Sequence, residues 1–176
     1  MRNAVASVLV AAWMACGPAR ADTPRAVPPP AALLAQAGQA PAAGTTDLKF
    51  RDFFVLPVGP RGLVPSERLR SLADRRVRIV GYMARQEGSG AGALIVAPLP
   101  VTLGDEDERY ADDLPATALY VHLAEADRGQ DVPWMPGLLS FTGVLRLGAA
   151  SEADGRMSFV RLELDPALSR AIAAAR

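Results

Sequence analysis

The stretch Arg76-Val77-Arg78-Ile79-Val80-Gly81-Tyr82-Met83-Ala84-Arg85 alternates with a period of two, with Val77, Ile79, Gly81 and Met83 on one face and Arg76, Arg78, Val80 and Tyr82 on the other. Successive side chains of a strand point to opposite faces of a sheet, so this pattern reads as a half-buried β-strand. Gly81 in its middle predicts a bulge or a sharp bend of the kind that closes a small barrel. Four further stretches carry the same signature. Residues 93–97 stop at Pro98-Leu99-Pro100, and residues 117–123 turn Leu119, Val121 and Leu123 inward with Tyr120 and His122 opposite. Residues 137–147 place Leu139, Phe141, Gly143, Leu145 and Leu147 on one side and Ser140, Thr142 and Arg146 on the other. Residues 157–164 face Val160, Leu162 and Leu164 inward and Arg161 and Glu163 outward.

Upstream, Leu48, Phe50 and Phe53 form one apolar face, Pro57 ends any strand there, and Gly59-Pro60-Arg61-Gly62 reads as a β-turn. A short helix is expected after Ser66, whose hydroxyl can cap free amides, with Leu69 and Leu72 at helical spacing before a break at Asp74. A terminal helix is expected from Asp165-Pro166 to about Ala175, with a capping Asp and a proline at its first position. Five short strands and two small helices predict a mainly β fold, a small antiparallel β-barrel of OB-like or related Greek-key type. A two-sheet sandwich is the alternative, which period-two patterning does not separate.

Residues 1–21 read as a signal peptide. Arg2 supplies the positive end, residues 4–15 the apolar run, and Ala19-Arg20-Ala21 the small residues of a cleavage site. Mature chain is then expected to start at Asp22 in the periplasm. The apolar run is short of the roughly 20 residues that span a bilayer and meets Gly17-Pro18, so no membrane span is expected after cleavage. Residues 22–46 are Pro, Ala, Gly and Gln with almost no large apolar side chains, which predicts a disordered linker stiffened at Pro28-Pro29-Pro30. Residues 47–176 remain as a single β-barrel domain. An alternative processing retains Cys16 as a lipidated N-terminus; Ala15 suits it, while Trp13 stands where a small aliphatic residue is expected.

Cys16 is the only cysteine, so a chain cut after Ala21 has no disulfide, no thiolate nucleophile, no Cys-held metal and no covalent haem. The 19 basic and 19 acidic residues balance, and losing Arg2 and Arg20 leaves 17 against 19, a charge of −2. A nucleic-acid binder would carry a basic excess or a basic stripe with interleaved aromatics, so no nucleic-acid partner is expected, nor any cofactor.

The stretch from Phe50-Arg51-Asp52-Phe53-Phe54 through Gly62-Leu63, followed by Val77-Arg78-Ile79-Val80-Gly81-Tyr82-Met83, resembles a group of uncharacterised exported proteobacterial proteins. In these a V-R-(I/L)-x-G-Y-M strand follows a short helix, and a later G-x-L strand is similar to Phe141-Thr142-Gly143-Val144-Leu145. The resemblance covers roughly residues 50–165. Some relatives carry Cys and His after the second strand; residues 100–107 here have neither, so no metal role is carried over. Some members accompany transport-system genes, which implies an accessory role with an envelope or transporter protein as partner.

Six carboxylates crowd residues 105–113, the right chemistry for a hard cation. Their spacing is wrong for an EF-hand, with Arg109 at a ligand position and Tyr110 in place of the turn glycine, so a solvated acidic connection is the preferred reading. His122, the only histidine, is a candidate general base or ligand contact, but a lone histidine makes a poor transition-metal site. Trp134 and Met135, between Pro133 and Pro136, suit either a recognition knob or a plug closing the end of the barrel, and the plug is preferred. Arg61 could hold an anion from its turn. No residue is assigned to catalysis or to a metal. Trp134, Met135, Arg61 and His122 are the candidate partner or ligand contacts of an exported, non-enzymatic binding or accessory module. The alternatives are a periplasmic enzyme working through carboxylates and His122, and a lipoprotein held by Cys16.

Overall fold

The computed structural model describes residues 26–34, 39–60, 62–86, 90–103 and 114–175. The expected signal peptide with Cys16, Arg61 and the acidic stretch 105–113 lie outside the described residues. In chain order the strands are β1 (Thr46–Asp47), β2 (Arg76–Met83), β3 (Gly90–Ala91), β4 (Ala93–Ala97), β5 (Leu119–His122), β6 (Asp131–Val132), β7 (Leu138–Ser151) and β8 (Met157–Leu164). The helices are α1 (Glu67–Ser71) and α2 (Pro166–Ala173). The fold is mainly β, with one mixed six-stranded sheet ordered β1-β2-β4-β5-β8-β7 in which β7 also pairs with β2; β3 and β6 form a separate pair.

The long antiparallel ladder between β2 and β7 runs from Arg76 opposite Val144 to Tyr82 opposite Leu138 without a register shift. At its end β2 takes β4 on its other edge, Tyr82 opposite Ala97 and Met83 opposite Val96. Gly81 sits at that transition. A Cβ there would lie 2.7 Å from the Ala97 carbonyl oxygen and 2.7 Å from the Phe50 ring, so the close approach requires glycine. The irregularity expected at Gly81 occurs instead between β7 and β8, where the register shifts between Leu147 and Ala150. From β8 the pairing passes to β5 in parallel, Tyr120 opposite Arg161 and His122 opposite Glu163, and from β5 to β4.

The inward faces read from period two are the buried ones: Val77 and Ile79, Leu119 and Val121, Leu139 and Phe141, Leu162 and Leu164 all belong to one apolar cluster. Three local expectations are corrected. Residues 48–54 are not a strand; Phe50–Asp52 is a single 3-10 turn. In that geometry residues three apart share a side, which brings the Phe50 and Phe53 rings to 5.3 Å and buries both in the cluster. Ser66 caps α1 as expected, its hydroxyl accepting from Leu69 N–H at 2.9 Å. Asp165 does not cap α2; its carboxylate is drawn off by the fork of Arg76, with bonds of 2.6 to 3.0 Å.

The third correction concerns the spacer. Residues 26–34 lie on the body, with Val27 and Leu33 buried and Val27 N–H donating to the Trp134 carbonyl at 3.0 Å. Leu34 bridges Leu139, and at the end of the expected linker Thr46 enters β1 beside β2. Two apolar side chains at the right spacing outweigh the proline-rich composition, because burying each contributes roughly 1.5 to 3 kcal/mol.

Candidate functional site

On β5, Tyr120 and His122 point away from the core. Their neighbours on β4 differ. Ile95, opposite Tyr120, is buried in a second small cluster with Ala84 and Leu103, because the chain after β4 folds back and Arg85 exchanges backbone bonds of 2.8 Å with Val101 and Leu103. The β5 side of this face is closed over by the β7–β8 hairpin. Its turn is held by Glu152 N–H to the Arg156 carbonyl at 2.9 Å and Gly155 N–H to the Glu152 carbonyl at 3.0 Å.

That turn delivers a chain of polar side chains onto β5. His122 Nε2 lies 2.9 Å from Glu152 Oε2, and the other Glu152 oxygen accepts from the Ser158 hydroxyl. Glu152 is only 5% exposed and His122 25%. Tyr120 donates its hydroxyl to Asp154 at 2.7 Å, and Asp154 also accepts from the Arg156 amide and guanidinium, each at 3.0 Å. Arg161 extends the chain to the Ser158 hydroxyl at 3.1 Å and the Gly148 carbonyl at 2.7 Å. Burial, and then the bond to Asp154, push the Tyr120 hydroxyl well above its usual range. For Asp154, burial alone would raise the carboxyl, but the Arg156 amide, the Tyr120 hydroxyl and the Arg156 guanidinium outweigh it and hold the group below the usual carboxylate range.

Chemically this is a clasp. A serine nucleophile needs the imidazole between hydroxyl and carboxylate, whereas here the carboxylate stands between Ser158 and His122. No group of three or more His, Cys, Asp or Glu side chains is arranged to hold a metal ion among the described residues. A cleft of about 390 Å³ beside it is lined by Glu125, Arg128, Glu163 and Asp165, whose charges are committed to pairs: Arg128 with Glu125 at 2.7 Å, Arg146 with Glu163 at 3.0 Å and Arg76 with Asp165 at 2.6 Å.

The other candidate contacts lie elsewhere. Met135 is fully buried in the main core, its N–H directed at Met83 Sδ at 3.4 Å. Trp134 is half-buried, donates its indole N–H to the Met83 carbonyl at 3.2 Å and carries the Arg85 guanidinium 5.3 Å above its ring. Glu152, Asp154, Arg156 and Ser158 were not among the candidates read from sequence. The available signal was a polar turn between two alternating strands, which marks a hairpin but not what it touches.

No protein-family model and no curated protein matches this chain. Among solved structures it is similar to the crystal structure of a DUF3299 family protein from Pseudomonas aeruginosa PAO1, with 12% sequence identity and a TM-score of 0.40 over 69% of this chain and 93% of that one.

Proposed function

We propose that this chain is an exported, non-enzymatic binding or accessory module of the bacterial envelope, built as an OB-like barrel. The barrel reading is supported by the pairing circuit, which leaves β2 through β4, β5, β8 and β7 and returns to β2 with β5–β8 as its one parallel step. In OB-like barrels the face of the second and third strands and the loops after the first and fourth take ligands. Here those are the outer face of β4–β5 and the β7–β8 turn, where Tyr120 and His122 meet Asp154 and Glu152. The observation that carries a binding role is the state of that site's polar groups. Each carboxylate is already bonded on both sides within the protein, a rigid recognition surface in place of a poised acid and base.

Export rests on residues 1–21 and a transport-system partner on the family resemblance. Purified chain starting at Asp22 with no acyl mass supports a free periplasmic protein; an acylated Cys16 would make it a lipoprotein. The enzymatic alternative has one observation in its favour, the buried Glu152 that fixes the orientation of His122. Ester, phosphoester and glycoside reporter substrates separate the two. Turnover by the wild type that vanishes in His122→Ala would overturn the binding reading. Amide shifts confined to residues 120–122 and 152–158 on titration with envelope extracts, without turnover, support it.

A further inference from the structure

Phe53 is fully buried and Phe54 packs against the same core, and together they root a loop whose apolar side chains face outward. The backbone of that loop is closed: Val55 N–H donates to the Val64 carbonyl at 2.9 Å, Phe54 bridges Pro65, and Gly62 N–H reaches the Gly59 carbonyl at 3.0 Å. Yet Val55, Leu56, Val58 and Leu63 are 50%, 69%, 53% and 44% exposed. Single exposed apolar residues are ordinary, but four on one closed projection make a patch that marks a contact surface.

The base of the loop is cationic. Residues 49–52 and 65–70 hold Lys49, Arg51, Arg68 and Arg70 against Asp52 and Glu67, an excess of +2 in a chain that nets +0. Lys49, Arg51, Arg68 and Arg70 are exposed. Arg68 and Arg70 donate to the backbone carbonyls of Asp47 at 3.3 Å and Pro65 at 2.8 Å, so among the described residues neither is paired with a carboxylate, and the ion pair of Arg51 among them is a 3.8 Å contact with Asp52. An apolar tip above a cationic base is complementary to one surface chemistry: acyl chains beneath anionic headgroups.

We propose that the 55–63 loop docks this protein on the surface of an anionic phospholipid bilayer, with Leu56 and Val58 entering the acyl boundary and Arg51 and Arg70 meeting the headgroup phosphates. The proposal rests on the envelope reading for its biological setting only. Vesicle binding tests the loop and the mass of the N-terminus tests export, so the two fail separately.

The test is co-sedimentation of the processed chain with vesicles of phosphatidylglycerol and phosphatidylcholine in equal parts, compared with phosphatidylcholine alone. The wild type binds the anionic vesicles and releases them as salt rises. Leu56→Asp with Val58→Asp lowers partitioning by about tenfold or more, and Arg51→Gln with Arg70→Gln by about tenfold. Both side-chain pairs are exposed, so unchanged melting curves confirm that the variants fold. In a Leu56→Trp variant, emission in excess of the wild-type Trp134 signal moves to shorter wavelength on adding vesicles. Equal binding by wild type and the Leu56→Asp pair, or an emission unmoved by excess vesicles, overturns the proposal. So does an absence of vesicle binding combined with self-association that Leu56→Asp abolishes, which would assign the loop to a protein contact.

Discussion

Among the described residues two projections leave the body of this protein, and they are fastened to it in different ways. The β7–β8 turn is closed by two backbone bonds of its own and is fastened to the body by side chains, Tyr120 to Asp154 and His122 to Glu152, polar groups that reach across from another strand. The 55–63 loop is fastened by backbone bonds and by buried rings at its base, with Val55, Leu56, Val58 and Leu63 turned out. A projection whose side chains are spent on the body is fixed in place and presents what remains of its polar surface. A projection secured below its tip keeps its side chains for something else. The difference predicts separate sensitivities, one to loss of a polar partner and the other to loss of its aromatic root.

The largest effect is expected at that root. Phe53 is fully buried between Phe50 and Phe54, with ring centroids 5.3 and 6.3 Å away. Phe53→Ala should cost about 3 to 5 kcal/mol in urea unfolding, the range for deleting a large buried aromatic. A cost below about 1 kcal/mol would mean that the loop is not rooted there.

The next effect is at the clasp. Glu152→Ala leaves His122 without its carboxylate and the buried Ser158 hydroxyl without an acceptor, which should cost about 1 to 3 kcal/mol. Hydrogen exchange should speed up at Gly155 and Arg156 and stay unchanged at Val55 and Gly62. Faster exchange at both projections would abolish the distinction between them.

How much of this was legible follows from the same distinction. Strand 157–164 is legible with its bounds because one buried face writes its period into the sequence, whereas 93–97, buried on both faces, is legible as an apolar run that Pro98 ends. The shared apolar face of Leu48, Phe50 and Phe53 is legible but the element that carries it is not: Phe50 and Phe53 are three apart, a spacing that a regular strand places on opposite faces and a 3-10 turn on one side. The seating of the spacer is not legible from its composition, because it depends on Val27 and Leu33 alone, two residues that find room in the core. His122 was noticed as the sole histidine, but its partner Glu152 lies 30 residues away and Tyr120 meets Asp154 across 34. Only the parallel approach of β5 and β8, together with the β7–β8 hairpin, creates those contacts, and turn residues look alike whether solvated or clasped.

The smallest effect, and the sharpest for the comparison, is pH. Asp154 titrates below its unfolded value in the native protein, so its contribution to stability is complete above about pH 4 and is lost as the pH falls through the lower native value. Tyr120 titrates above its unfolded value, so its contribution is complete below about pH 10 and is lost as the pH rises toward the higher native value. The clasp should therefore loosen at both ends of the scale. Asp165, held low first by Arg76, titrates in the same acidic window and weakens the whole body there, so a melting curve alone does not isolate the hairpin. The discriminating measurement is local: exchange rates at Gly155 and at Gly62 compared across pH, after correction for intrinsic rates. Protection at Gly155 should fall at both extremes, and in an Asp154→Asn, Tyr120→Phe double variant the alkaline loss should disappear, since neither remaining group in that pair ionises. Gly62 sits in a turn closed by backbone alone and should show neither limb beyond the global acidic loss. Identical pH profiles at the two glycines would show that the side-chain clasp does not hold the hairpin.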